Sequence, residues 1–342
     1  MSLTGSRDSL LAATVELLWA QWTELGVGGT RGTAASIIDP EALLAVTTVF
    51  GRYEPRLFDE VLDWLAGHSA SLDVTRLRRV SDLRSLGDKR LLALLLVFMR
   101  ENSSSSKWTE AAHRGLLAGE EREPYAPQAL FRTTDGGALP TFSERDPFFA
   151  SHGFERPVLA LRGLSSAPDA RRPALARLRL RDLMGQGVRA EVLLYLSTHG
   201  HAHGRLIADR GAYSQRQVAE YLSGLEDAGL AESWTQGRRL EYRLAPSLAD
   251  VVSGGAVYVG WIGAFTLLVT AWDCLGRAAL EQDAYIASTI LRSGLEELRA
   301  GLPVEGFDVA LPEPDRNPGE RVTGHALEFI QSVVDRVRAY AV

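Results

Sequence analysis

The chain of 342 residues contains a single cysteine, Cys274, and two lysines, Lys89 and Lys107. One thiol excludes an intrachain disulfide and a zinc site built from cysteine alone. So little cysteine suits a reducing compartment, and a cytoplasmic location is expected. The opening Met1-Ser-Leu-Thr-Gly5 lacks the charged head and apolar run of a secretory signal. Arginine carries nearly all the positive charge, and the net charge is -6. That balance argues against coating nucleic acid by bulk charge, but it leaves room for a local basic surface. Also missing are a P-loop, G-x-G-x-x-G, G-x-S-x-G and H-E-x-x-H, so no enzyme and no cofactor is expected. Gly136-Gly137 with Glu144 and Asp146 lacks the paired aspartates that two-metal nucleotidyl transfer needs.

What is present is ordinary for a soluble globular chain, with 46% apolar and 23% charged residues. The length suits about two or three domains. Apolar spacing predicts mainly α structure, with helices over 8–25, 55–66, 88–100, 108–117, 284–298 and 326–337. Asp39-Pro40-Glu41 reads as a helix start, with aspartate as cap and proline at the first helical position. Four units are expected. They are a helical N-terminal domain over 1–118, an irregular connection over 119–173, a central unit over 174–246, and a helical, dimerising region over 247–342. No charge interrupts Val251 to Trp272, a length that could cross a membrane. Its glycines and unanchored ends favour a buried helix instead. In that reading Ala256, Gly260 and Ala264 form a small-residue row at a subunit interface.

The central unit carries the specific signal. Val188 to Thr198 and Ala202 to Asp209 read as two helices, with Arg210-Gly-Ala-Tyr213 as a turn. Ser214 with Gln217 forms an S-x-x-Q capping box, and Val218, Leu222 and Leu225 make one inward stripe. Leu230 to Trp234 and Leu240 to Leu244 read as strands joined by Thr235-Gln-Gly-Arg-Arg239, with Gly237 as turn former. Between Arg177 and Arg243 there are ten arginines against eight acidic residues, a local excess of +2. Arg171, Arg172, Arg177, Arg179 and Arg181 are expected to add a basic patch.

From Gly187-Val-Arg-Ala-Glu-Val-Leu193, through Tyr213-Ser-Gln-Arg-Gln-Val-Ala219, to Leu225-Glu-Asp-Ala-Gly-Leu230, this segment resembles the winged helix-turn-helix transcription regulators of the ArsR and MarR kind. The resemblance spans about residues 178–244; the flanking parts match no named group. It implies sequence-specific binding of double-stranded DNA by a repressor acting as a homodimer. Helix 214–228 would read the major groove, and the 235–239 wing would touch backbone or minor groove. The implied DNA-binding residues are Tyr213, Ser214, Gln215, Arg216, Gln217, Ala219, Arg238 and Arg239. Gln215 suits adenine and Arg216 suits guanine or phosphate, while Gln217 is partly claimed by the cap. Tyr213 and Ser214 would hold phosphate. The alternative is a winged-helix protein-interaction or antitoxin-like module without specific DNA binding.

Two further signals are weaker. His199, His201 and His203 alternate, as metal-chelating imidazoles can, but no cysteine or acidic cluster accompanies them, so no metal is expected. Glu191-Val-Leu-Leu-Tyr-Leu-Ser-Thr-His199 echoes Glu60-Val-Leu-Asp-Trp-Leu-Ala-Gly-His68, which suggests a degenerate second winged helix in the N-terminal domain. A small-molecule effector fits a regulator, but no ligand motif names one.

Overall fold

Helices begin where the sequence supplies a capping acceptor. Asp39, Asp73, Asp88, Ser214 and Asp283 each accept a backbone N–H in the first turn of the helix that follows. Each satisfies a donor that the helix itself leaves unpaired. In the computed structural model, residues 2–29, 34–117, 126–140, 144–246, 248, 255–312 and 319–341 are described. Among them the chain is mainly helical, 64% in 14 helices, with a small sheet.

The first half holds α1 (Leu3–Glu24), α2 (Pro40–Phe50), α3 (Pro55–His68), α4 (Val74–Arg84), α5 (Lys89–Asn102) and α6 (Lys107–Leu117). A two-residue strand β1 (Gln128–Ala129) pairs in parallel with β2 (Phe154–Glu155), on either side of α7 (Pro147–Ser151). Next come α8 (Ala176–Met184), α9 (Val188–His199), β3 (Ala202–His203), α10 (Gly204–Gly211), α11 (Gln215–Asp227), β4 (Ala231–Gln236) and β5 (Arg239–Leu244). The chain ends in α12 (Trp261–Leu280), α13 (Ala284–Gly301) and α14 (Glu320–Ala341).

Two apolar cores result. The larger one joins the first six helices to the last three, and α1 lies along α14. The helices before 118 and those after 260 thus share one interior. Trp22 and Trp64 meet edge to face at 5.3 Å within it. Their indole N–H groups donate to Thr47 Oγ1 and the Leu25 carbonyl, so neither is buried unpaired. The smaller core gathers α9, α10, α11 and the hairpin β4–β5 around Leu193, Leu196, Ile207, Val218 and Leu222.

A cluster of buried charge bridges the two cores. Arg76 on α4 donates to Asp39 and to Glu41 on α2, the latter at 2.7 Å. Arg181 on α8 grips both oxygens of Glu41 at 2.7 and 2.8 Å, and Arg177 reaches Glu191 on α9 at 2.9 Å. Three guanidiniums therefore face three carboxylates, all of them buried. Burial raises the carboxyls of Asp39 and Glu41. The surrounding charges of Arg177 and Arg76 on Asp39, and of Arg181 and Arg76 on Glu41, outweigh that and hold both below the usual carboxylate range.

The described part of the irregular connection is fastened to the fold. Asp63 on α3 accepts four consecutive backbone N–H groups, those of Arg162, Gly163, Leu164 and Ser165. Asp146 caps α7 through Phe149 N–H and also accepts from Leu159 N–H, and Gly136-Gly137 closes a tight turn on the Thr133 backbone.

Several expectations need correction. Ala202 and His203 form a strand, not the start of a helix, and α8 precedes the expected first helix of the central unit. The join between hairpin strands is shorter than 235–239: Gln236 already pairs with Arg239, leaving Gly237 and Arg238 as the turn. Gly237 has φ 64°, a left-handed conformation that glycine adopts at no steric cost. Of the uncharged run, residues 251–254 lie outside the described residues, and the helix starts only at Trp261. Ala256 and Gly260 precede it, so the small-residue row is not one helix face. Among the described residues no helix is long and apolar enough to cross a membrane.

Candidate nucleic-acid interface

Helix α11 presents two faces set by its sequence. Val218, Leu222 and Leu225 turn inward, and Gln215, Arg216, Gln217, Ala219 and Glu220 are exposed. Ser214 Oγ accepts the Gln217 N–H at 3.3 Å and donates to Gln217 Oε1 at 2.8 Å. The glutamine returns a side-chain bond to the hydroxyl, so its amide NH₂ stays open to solvent. Arg216 pairs with Glu220 at 2.7 Å, with side chains 88% and 62% exposed. An ion pair so exposed is readily exchanged for another partner.

Tyr213 does not sit with them. It is buried, and its hydroxyl donates to Asp73 Oδ2 at 2.6 Å. Burial and the carboxylates of Glu191 and Asp73 push that phenol far above its usual value. It therefore cannot hold a phosphate, because its hydroxyl is spent inside the protein.

The hairpin lies beside this helix. β5 pairs antiparallel with β4 on one side and with β3 on the other, giving the order β3-β5-β4. Arg238 and Arg239 are exposed at its tip. An open cleft of about 870 Å³ separates it from α10 and the start of α11, lined by His203, Arg205, Leu206, Gln215, Arg239 and Leu240. Arg205, Arg238 and Arg239 make no ion pair with any described residue. Arg205 is the cation that motif reading missed; its signal was a charge on α10 next to the inward Ile207 and Ala208.

The expected basic patch ahead of α9 is not there. Arg177 and Arg181 are buried in the charge cluster, Arg172 pairs with Glu24 at 2.7 Å and Arg171 with Asp169 at 2.8 Å. The three histidines also part company. His199 stacks on Tyr195 at 3.9 Å, and His201 lies 3.5 Å from Glu241. His203 Nδ1 accepts the Leu206 N–H at 3.1 Å and so caps α10. Among the described residues no group of three or more histidine, cysteine or acidic side chains could hold a metal.

No family model, curated protein or solved structure matches the chain.

Proposed function

We propose that α9 to β5 form a winged helix-turn-helix and that the protein is a sequence-specific DNA-binding transcription regulator, acting as a repressor. The observation that carries this reading is the outward-facing start of α11, with Gln215 and Arg216 exposed and, beside it, Arg205, Arg238 and Arg239, which make no ion pair among the described residues. The order helix, strand, helix, helix, hairpin supports it, as does the short strand β3 seated on β5. In this reading α11 enters the major groove with its first turn leading, which also aims free backbone N–H groups at phosphate. Gln215 pairs with adenine, and Arg216 leaves Glu220 for guanine or phosphate. Arg238 and Arg239 neutralise backbone on one side and Arg205 does so on the other. A two-fold homodimer would place two such helices about 34–36 Å apart on a palindrome.

A second reading rests on Leu230, just before β4, and Leu240 on β5, each 44% exposed. These suit a protein partner docking on the wing. Selection of bound sequences from random double-stranded DNA separates the two. The DNA reading expects an enriched motif whose binding survives competitor DNA and weakens steeply with salt. Gln215→Ala with Arg216→Ala should abolish that motif's footprint while the fold is retained. No enrichment, or a footprint unchanged in that variant, overturns the assignment.

A further inference from the structure

The direction of α11 is set where it leaves the body of the molecule, at residues 211–214. Two side chains at the start of α4, its cap Asp73 and Arg76, hold that point. Arg76 Nε donates to the Gly211 carbonyl at 2.9 Å, and Asp73 accepts the Tyr213 hydroxyl at 2.6 Å. Asp73 is itself fixed on both sides. Its Oδ1 caps α4 through the Arg76 N–H at 3.0 Å, and its own N–H donates to Glu41 Oε1 at 2.7 Å. Between the two anchors Ala212 adopts a left-handed backbone, φ 59°, which a non-glycine residue keeps only where its surroundings fix it.

We infer that Asp73, Arg76 and Tyr213 are positioning residues for the DNA-reading helix, an inference that rests on the DNA-reading proposal. The helix of 13 residues is about 20 Å long. If the start is released and the helix pivots about its buried middle, a tilt of about 10° moves Gln215 and Arg216 by about 2 Å, well beyond the roughly 0.5 Å within which a recognition site must be held. Phosphate contacts from mobile arginines tolerate such a tilt, whereas paired contacts to base edges do not. Loosening the anchor therefore lowers discrimination between sequences and leaves general attraction to DNA intact. The α4 side of the molecule thus helps to aim a helix that packs in the smaller core.

The test uses the full chain with Tyr213→Phe and with Tyr213→Phe/Asp73→Asn. The single variant strands the second oxygen of Asp73. The double variant removes that stranded charge and keeps the cap, since asparagine caps as well as aspartate. Three quantities are measured: the thermal midpoint, hydrogen exchange at amides 211–217 in the free protein, and affinity for the selected duplex against random duplex across salt. The single variant is expected to lower the midpoint, speed exchange by about tenfold and cut the specific-to-random ratio by about tenfold, with the salt slope unchanged. The double variant should recover the midpoint but neither of the other two. Recovery of exchange and discrimination along with stability overturns the inference, as does a single variant that exchanges like the parent. If the parent itself selects no DNA, the DNA reading falls, and exchange in the free protein still decides whether these residues hold the turn.

Discussion

Two stretches of the chain repeat the same local order with opposite outcomes. α3 and α4 lead through Ser85, φ 51°, to α5 capped by Asp88. α9 and α10 lead through Ala212, φ 59°, to α11 capped by Ser214. Even the ring contacts correspond: Trp64 lies on His68 and Tyr195 on His199. Yet α4 packs chiefly on α2, whereas α10 packs on α9 and α11. α5 is covered by α6 and buries Leu91, Leu92 and Leu94 through Met99; α11 buries one stripe, half-buries Tyr221 and leaves most of the rest to solvent. Caps and turns thus define where helices start, and the apolar content of the third helix decides whether it becomes core or surface.

The largest way to break the contrast is at the charge cluster joining the two cores. Arg76→Ala leaves Asp39 and Glu41 buried with fewer counter-charges and should cost about 3–5 kcal/mol. Urea unfolding should then resolve two transitions, with the smaller core first. A single transition at the parental midpoint would show that the cluster does not couple them. Acid probes the same joint without mutation. Asp39 and Glu41 have folded pKa values below the ordinary carboxylate range, so the unfolded chain binds more protons on the acid side. Their contribution is complete above about pH 5 and is lost as pH falls through the ordinary carboxylate value toward the lower folded one. Hydrogen exchange at descending pH should therefore show α9 to β5 loosening before α1 and α14. The smallest effect compares the caps. Ser214→Ala removes one capping acceptor and should cost about 1 kcal/mol. Asp88→Ala also strips Arg52, which is buried, of its carboxylate at 3.3 Å, and should cost about 2–3 kcal/mol. Equal losses by chemical denaturation would mean that the carbonyls of Ala129 and Leu130, to which Arg52 also donates, suffice.

Helix positions were legible because capping and periodicity are local. Asp39, Asp88 and Ser214 stand at helix starts where the sequence places them, and the stripe of Val218, Leu222 and Leu225 is buried as its spacing predicts. Partners across the fold were not legible. Arg177 and Arg181 read as surface charge, since nothing near them in sequence announces Glu41 or the N-terminal helices that bury them. Tyr213 reads as a phosphate contact because it precedes an exposed helix; its side chain points the other way, toward an acid 140 positions distant. Of the candidate site, the exposed residues of α11 and the hairpin tip came from periodicity, whereas Arg205 gained meaning only when the cleft brought it opposite Arg239.

The packing of α1 along α14 also orders events in time. On a growing chain part of the apolar side of α1 stays uncovered until the last helix has been made, hundreds of residues later. The apolar core of residues 188–244, built mostly from contacts close in sequence, can settle well before that. During synthesis the small core is therefore able to form while the large one is still open and prone to aggregate. The unit proposed to read DNA would then be built before the frame that aims it.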